Sequence, residues 1–263
     1  MQQKIGEIRD IYQAADEIML PAFIREYAQD GRSGVQALVK KAQKRLSDLE
    51  KERARMHVMS EFEDKYCEFS CICGIDEAGR GPLAGPVVAG AVVLDPTVEI
   101  LYLNDSKKLT AAKREQLYDE IREKALASAV GIVGPDVIDE INILQATYEA
   151  MRIAVHNLGV VPDILLNDAV HIPDLPMKQV AIVKGDARSK SIAAASILAK
   201  VTRDRIMVEY DAKYPEYGFA GHKGYGSAAH IKALEEFGAT PIHRMSFLTH
   251  FRLGEAKYGA EHR

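Results

Sequence analysis

Two adjacent carboxylates followed at once by a glycine-flanked arginine are the most unusual feature of this sequence. Asp76 and Glu77 end an apolar run, and the turn Gly79-Arg80-Gly81 comes directly after Ala78. Neighbouring acids repel each other, and a turn with so few side chains has little to pack. Carboxylate oxygens are the ligands that hard divalent cations prefer, and the N–H groups of an exposed turn can approach a phosphorylated ligand. The stretch therefore indicates a metal-dependent site that handles phosphates.

Two further acids stand in similar positions. Asp168 and Asp186 each follow an apolar run, and acids at the carboxyl ends of parallel strands can converge although they are distant in sequence. Each has a structural alternative, since Asp168 could cap the turn toward His171 and Asp186 could cap a helix that begins near Ser189. A set of four carboxylates with no paired histidines or cysteines suits Mg²⁺ or Mn²⁺ rather than zinc.

The chemistry that such a set predicts is phosphoryl hydrolysis. Two ions about 3.5–4 Å apart can activate a water and stabilise the leaving oxygen of a phosphodiester. The sequence has no G-x-x-x-x-G-K-[ST] nucleotide loop, no G-x-S-x-G nucleophile elbow and no H-E-x-x-H zinc motif.

The elements that must position these acids follow from the apolar patterns after residue 69. Short apolar runs predict strands at residues 70–76, 87–94, 127–133, 164–168 and 180–183, the first two joined as a hairpin by the glycine-rich turn. Helical spacing predicts helices at residues 110–124, 144–158 and 189–210, and a short one at 233–237. Strands that first form a hairpin and later alternate with helices predict a mixed α/β sheet flanked by helices, with its later strands parallel.

The first 68 residues show a different apolar pattern from the rest of the chain and predict a separate helical extension. One amphipathic stripe runs from Ile5 to Met19 and stops at Pro21, and a second begins after Ser33, a candidate N-cap. Basic residues on the other faces of the second helix fit a phosphate backbone, a partner protein or plain solvent, and the sequence does not choose. We expect three segments: an extension at 1–68, a catalytic core at 69–211, and a C-terminal glycine-rich loop with a helical segment at 212–263.

Composition limits the remaining possibilities. A chain of 263 residues with 47% hydrophobic residues can bury a core, and no apolar run reaches the roughly 20 residues that cross a bilayer. We expect a cytoplasmic protein. Its net charge of -4 gives no global support for nucleic-acid binding, so local basic clusters must supply it. Of the three cysteines, Cys71 and Cys73 alternate along a strand, which favours burial over zinc binding.

The motifs together resemble ribonuclease HII, in the order in which that family shows them. The similarity covers residues 70–247 and rests on Asp76 to Pro86, Asp105-Ser106-Lys107-Lys108-Leu109, Lys184-Gly185-Asp186, Ala193 to Asp204 and Lys223-Gly224-Tyr225-Gly226. It implies a ribonuclease H-like fold and endonucleolytic cutting of RNA in RNA–DNA hybrids. It also implies cutting on the 5′ side of single ribonucleotides in duplex DNA, leaving 5′-phosphates. The related ribonuclease HIII has a different turn after its acidic pair, so Arg80 favours HII.

The resemblance assigns roles to individual residues. Its catalytic, metal-binding acids would be Asp76, Glu77, Asp168 and Asp186, loaded with Mn²⁺ or Mg²⁺. The backbone of Gly79, Arg80 and Gly81 would meet the ribose 2′-OH, and Tyr225 would stack on the neighbouring deoxyribose. The phosphate-binding lysines would be Lys107, Lys108 and Lys184.

The expected substrates are RNA–DNA hybrids and DNA duplexes that contain ribonucleotides, and we expect a monomer. Asn167 departs from the pattern because an aliphatic residue is expected before the third acid, although the spacing from Asp168 to Asp186 agrees with the family.

Overall fold

The computed structural model describes residues 3–258 of the chain. The chain divides into two compact units, Met1–Val58 and Met59–Arg263. The ends of two predicted segments, at residues 1–2 and 259–263, lie outside the described residues.

The smaller unit is helical, as the sequence predicts. It contains α1 (Ile5–Ala14), α2 (Leu20–Tyr27) and α3 (Ser33–Val58). The prediction that the first helix continues to Pro21 is wrong, because α1 ends at Ala14 and Pro21 lies in the first turn of α2, where a missing N–H costs nothing. The apolar stripe of α3 packs against the other two helices through Val35, Leu38, Val39 and Ala42.

A five-stranded mixed sheet forms the centre of the larger unit within the described residues. Its strands are β1 (Ile72–Ala78), β2 (Val87–Val93), β3 (Ala127–Val133), β4 (Ile164–Asp168) and β5 (Lys178–Ile182), in the spatial order β3-β2-β1-β4-β5. The β3-β2-β1 part is antiparallel, whereas β4 and β5 run parallel to β1. The predicted hairpin and the predicted parallel later strands are both confirmed.

Helices cover both faces of this sheet. The helices of the larger unit are α4 (Glu61–Lys65), α5 (Ala111–Lys124), α6 (Pro135–His156), α7 (Lys190–Lys213), α8 (Phe219–His222) and α9 (Ala228–Phe237). The alanine-rich α7 lies close against β1 and β2, since a Cβ at Gly74 would come within 2.1 Å of the Ser191 carbonyl carbon, and one at Gly90 within 2.3 Å of the Ala195 oxygen. Helix α6 covers the other face, where Ala150, Met151 and Ala154 are buried.

Helix α6 is longer than the sequence predicts. Its second half begins after Asn142, whose backbone is not helical and whose Oδ1 accepts hydrogen bonds from the Leu144 and Gln145 N–H groups. Asn142 therefore acts as an internal N-cap, and the predicted start at residue 144 marks this second half. The turns from Pro135 onward also carry apolar residues at helical spacing, Val137, Ile138 and Ile141, which the predicted helix missed.

The C-terminal segment has its own apolar cluster. Tyr217, Phe219 and Leu234 are buried there with Met207 of α7 and Leu83, which lies just after β1. Helix α4, which follows the smaller unit in the chain, packs on the α7 side of the sheet through Phe62. The predicted segment boundaries at residues 68 and 211 stay predictions.

Candidate active site

A cleft of about 630 Å³ opens where β1, β4 and β5 end. It brings together most of the residues predicted to do chemistry. Its lining includes Asp76, Glu77, Asp168, Asp186, Gly79, Arg80, Gly81, Lys107 and Tyr225. The carboxyl ends of the strands therefore meet at one edge of the sheet, as expected of an open α/β sheet.

Asp76 is the most buried of the four acids. It lies at 6% exposure near the end of β1, opposite Gly90 of β2, and its Oδ1 accepts a hydrogen bond from the Glu77 N–H at 2.7 Å. Burial raises the pKa of Asp76 well above its usual range, the charges of Glu77 and Asp168 raise it further, and the nearby Ser196 hydroxyl and Glu77 N–H oppose the shift. A nearby cation would therefore stabilise the ionised form of Asp76.

Glu77 is half-buried beside the glycine turn. Its Oε1 lies 3.5 Å from the Arg80 guanidinium, which is itself well exposed. Burial raises the pKa of Glu77, Arg80 lowers it, and the charge on Asp168 raises it again. Because the pair is partly exposed, it contributes little to stability and leaves Arg80 available to a ligand.

Asp168 lies at the end of β4 and Asp186 lies just beyond the end of β5, the two strands that run parallel to β1. Asp168 ends β4, where its Oδ1 accepts a hydrogen bond from the Gly185 N–H at 2.7 Å, and Asp186 lies in the short 3₁₀ turn after β5. Burial raises the pKa of Asp186, followed by the charges on Asp105 and Asp168. Ser189, not Asp186, caps α7, so the capping alternative for Asp186 is excluded.

Asn167 does not disturb the frame of the third acid. It is fully buried in β4, paired with Ala181 of β5, and its Nδ2 donates a hydrogen bond to Oε1 of Gln179 at 2.9 Å. A buried amide with this partner replaces the expected aliphatic residue, and Asp168 keeps its place at the strand end.

The three predicted phosphate-binding lysines are placed differently. Lys107 lines the cleft and its charge opposes the raised pKa values of Glu77 and Asp186. Lys108 is largely exposed, 3.9 Å from Asp105, and its charge also reaches Asp186. Lys184 is exposed and does not line the cleft, although its left-handed backbone shapes the turn that carries Asp186.

The donor set of this cleft fits a hard divalent cation, because its four acids offer only oxygen ligands. Burial and mutual repulsion raise the pKa values of three of them, and a cation relieves both effects. No group of three or more His, Cys, Asp or Glu side chains within residues 3–258 is already arranged to hold an ion. The acids thus share a cleft without forming a closed cage.

The fold requires glycine at only one of the two glycine positions in the turn. Gly79 has a φ of +97°, and a Cβ there would lie 2.1 Å from Arg203 Nε, so the fold itself requires glycine. A Cβ on Gly81 would meet only Tyr225 Cε1, at 3.8 Å. The bare position at Gly81 thus faces the Tyr225 ring across the cleft, and no packing within the fold explains it.

Tyr225 has the exposure of a ligand-binding residue. It is 46% exposed, whereas the nearby Tyr217 is 1% exposed and donates its hydroxyl proton to the Gly238 carbonyl. Tyr217, not Tyr225, is thus the tyrosine that anchors this segment in the core.

Several polar residues around the cleft escaped the sequence-based assignment. Arg114 donates to the Ser106 and Leu109 carbonyls and so holds the turn that carries Lys107. Ser196 and Lys200 line the cleft one helical turn apart on α7, a spacing that could have revealed them. Arg203 and Arg244 are buried near the glycine turn, where Arg203 donates to the Ala84, Pro86 and Lys223 carbonyls and Arg244 donates to the Gly79 and Arg80 carbonyls. The sequence carries no local signal for either role.

A mixed sheet with carboxylates gathered at the carboxyl ends of its strands defines a nuclease of the ribonuclease H-like class. Residues 73–250 match the family model described as Ribonuclease HII, and residues 4–67 match the one described as Ribonuclease HII N-terminal domain. The chain belongs to the ribonuclease HII family.

Known relatives agree with this assignment. The chain is 57% identical to the ribonuclease HII of Lachnoclostridium phytofermentans over 94% of its length and 98% of the relative's. It is 50% identical to the ribonuclease HII of Clostridioides difficile, with the same two shares of length. The chain also matches the crystal structure of ribonuclease H2 from Pyrococcus horikoshii OT3, with a TM-score of 0.57 and 31% identity. This match covers 67% of this chain and 93% of the Pyrococcus chain.

The family identifies the enzyme class. The protein is a hydrolase, an endoribonuclease of the ribonuclease H type that acts on RNA–DNA hybrids. None of the helices in residues 3–258 combines the length and the apolar character that a membrane span needs.

Proposed function

We propose that this enzyme also cuts duplex DNA on the 5′ side of a single embedded ribonucleotide and leaves a 5′-phosphate. One observation carries the proposal: Tyr225 faces the bare Gly81 across the same cleft that holds the four acids. A ribose bound against the turn, beside the ring, brings its phosphodiester next to the carboxylates. Selection of the sugar and hydrolysis thus share one pocket.

Asp76, Glu77, Asp168 and Asp186 are the proposed ligands of Mg²⁺ or Mn²⁺. When bound, the cation supplies an activated water and stabilises the leaving oxygen. The protein holds the carboxylates in place through the Glu77 N–H at Asp76 and the Gly185 N–H at Asp168.

The glycine turn and Tyr225 are the proposed reader of the sugar. The N–H groups of the turn can hydrogen-bond a 2′-OH, which DNA lacks. The exposed Tyr225 ring offers a flat surface to the next sugar, where a deoxyribose leaves room that a ribose would fill. A substrate with ribose at one position and deoxyribose at the next fits both the glycine turn and the Tyr225 ring.

Lys107, Lys108 and Lys184 are the proposed phosphate contacts. Their position at and beside the rim suits the backbone of a duplex, since phosphate contacts position a nucleic acid without reading its sequence. Lys107 is the nearest to the acids, and we expect it to contribute most.

Substitution of the acids tests the site. Asp76→Asn and Asp168→Asn should abolish cleavage of both an RNA–DNA hybrid and a single-ribonucleotide duplex while largely preserving hybrid binding. Glu50→Gln, in the helical extension, is the control and should cut at the wild-type rate. Wild-type cleavage by either aspartate variant would refute the assignment.

A further inference from the structure

Arg244 is a buried cation that donates to the backbone of the glycine turn. It is fully buried, and its guanidinium donates from Nη2 to the Gly79 carbonyl at 2.6 Å, from Nη1 to the Arg80 carbonyl at 3.0 Å and from Nε to the Gly85 carbonyl at 3.0 Å. No carboxylate of residues 3–258 forms a salt bridge with it. A buried charge without an ionic partner is costly, so its place under this turn calls for an explanation.

These hydrogen bonds fix the direction of two peptide groups. In a planar trans peptide the C=O and the N–H point in opposite directions. Since the Gly79 and Arg80 carbonyls point at Arg244, the N–H groups of Arg80 and Gly81 point away from it. Neither N–H has a hydrogen-bond acceptor among the described residues, and both residues line the cleft.

We propose that Arg244 is the positioning residue of the ribose reader: its guanidinium fixes the two peptides so that the Arg80 and Gly81 N–H groups face the 2′-OH of the substrate. The proposal rests on the proposed function, since it needs the glycine turn to read that hydroxyl. Lysine cannot replace Arg244, because a single ammonium group cannot reach three carbonyls in the plane of a guanidinium fork.

The neighbouring histidine orients the opposite wall of the reader. The Thr240 N–H donates to His243 Nδ1 at 2.9 Å, so neutral His243 carries its proton on Nε2, 2.9 Å from His230 Nε2. His230 must accept there and therefore donates from Nδ1 to the Tyr225 carbonyl at 2.9 Å. One segment, 240–244, thus holds both the glycine turn and the loop of Tyr225.

The test is a comparison of binding to two duplexes in the full-length chain. Both are DNA and differ only in one 2′-OH, and an Asp76→Asn background prevents cleavage. We expect this background to bind the ribonucleotide duplex more tightly than the all-DNA duplex. Adding Arg244→Lys should reduce that preference by about tenfold, the contribution of two hydrogen bonds to the hydroxyl. The affinity for all-DNA and its salt dependence should not change, because the phosphate contacts remain.

A control separates positioning from general damage. Leu234→Ala loosens the C-terminal cluster in which Leu234 is buried, without touching the turn carbonyls, and should keep the full preference. If Arg244→Lys also keeps the preference, or loses affinity for both duplexes equally, the positioning role is refuted. If the background itself binds both duplexes equally, the proposed 2′-OH reading fails, and the role of Arg244 fails with it.

A milder variant decides the matter if Arg244→Lys does not fold. The Arg244 guanidinium lies 5.2 Å from the centre of the Phe247 ring. Phe247→Leu keeps an apolar side chain there but removes the aromatic face that holds the guanidinium in its plane. We expect a smaller loss of the same preference, of about twofold to threefold, and an unchanged preference would overturn the proposal.

Discussion

Alanine at the two glycines of the Gly79-Arg80-Gly81 turn should have opposite effects on stability and activity. At Gly79, alanine must adopt a φ of +97° with its Cβ 2.1 Å from Arg203 Nε and 2.7 Å from the Pro86 oxygen. The left-handed backbone costs about 1–2 kcal/mol. Displacing Arg203 from the Pro86 and Ala84 carbonyls adds about 1.5–3 kcal/mol for each hydrogen bond, which gives at least about 4 kcal/mol in total.

Gly81→Ala should fold normally. Its φ is not in the left-handed region, and the new Cβ would make one ordinary contact, 3.8 Å from Tyr225 Cε1. The free energy of unfolding should change by less than about 1 kcal/mol, and a more restricted unfolded chain could raise it. The added methyl group lies on the turn where the ribose is proposed to bind, next to the Tyr225 ring. A displacement of about 1 Å there should slow cleavage about 10- to 100-fold.

Urea unfolding and single-turnover cleavage of a single-ribonucleotide duplex measure the two effects. Gly79→Ala should lose stability, and Gly81→Ala should keep stability and lose activity. The reasoning is refuted if Gly81→Ala cuts at the wild-type rate, or if Gly79→Ala is as stable as the wild type.

Three further predictions concern the histidines, the acids and the tyrosine. Burial lowers the pKa of His230 from 6.5 to about 4 and that of His243 from 6.5 to about 3. Between pH 6.5 and these lowered values, the unfolded chain therefore binds more protons than the folded chain. The free energy of unfolding should therefore fall as pH drops from 7 to 4, by up to about 1.4 kcal/mol per pH unit for each histidine, and urea titrations of His243→Gln should show a flatter dependence. Asp76→Asn should be about 0.5–2 kcal/mol more stable in metal-free buffer, because a raised carboxyl pKa marks a charge that the fold disfavours. Thermal melts should show Mg²⁺ or Mn²⁺ stabilising the wild type but not this variant, and equal shifts would contradict the metal assignment. Tyr225→Ala should slow single-turnover cleavage at least about tenfold while Tyr225→Phe should not, since stacking needs the ring face, and equal rates for the two would argue against stacking.

The sequence predicted what depends on local pattern. Short apolar runs located the five strands, because strands buried on both faces are apolar along their length. Helical spacing located the longest helices, because burial of one face imposes that period. The convergence of Asp76, Asp168 and Asp186 also followed, since parallel strands end at the same edge of a sheet.

The sequence could not reveal what depends on tertiary contacts. Arg203 stands between Lys200 and Arg205 in a basic stretch of the sequence, yet it is buried with its donors on backbone carbonyls. Arg244 stands more than 150 residues from the turn that it supports, with no repeating pattern to mark it. Gly79 and Gly81 look alike in the sequence, and only the position of the Arg203 side chain shows that one serves the fold and the other faces the cleft.

The cleavage map of a DNA duplex that contains one ribonucleotide tests the central claim most directly. With Mn²⁺ or Mg²⁺ present, the account predicts a single cut on the 5′ side of the ribonucleotide, a 5′-phosphate on the downstream fragment, and no cut in the matched all-DNA duplex. Trimming from the ends, or equal cleavage of both duplexes, would contradict it.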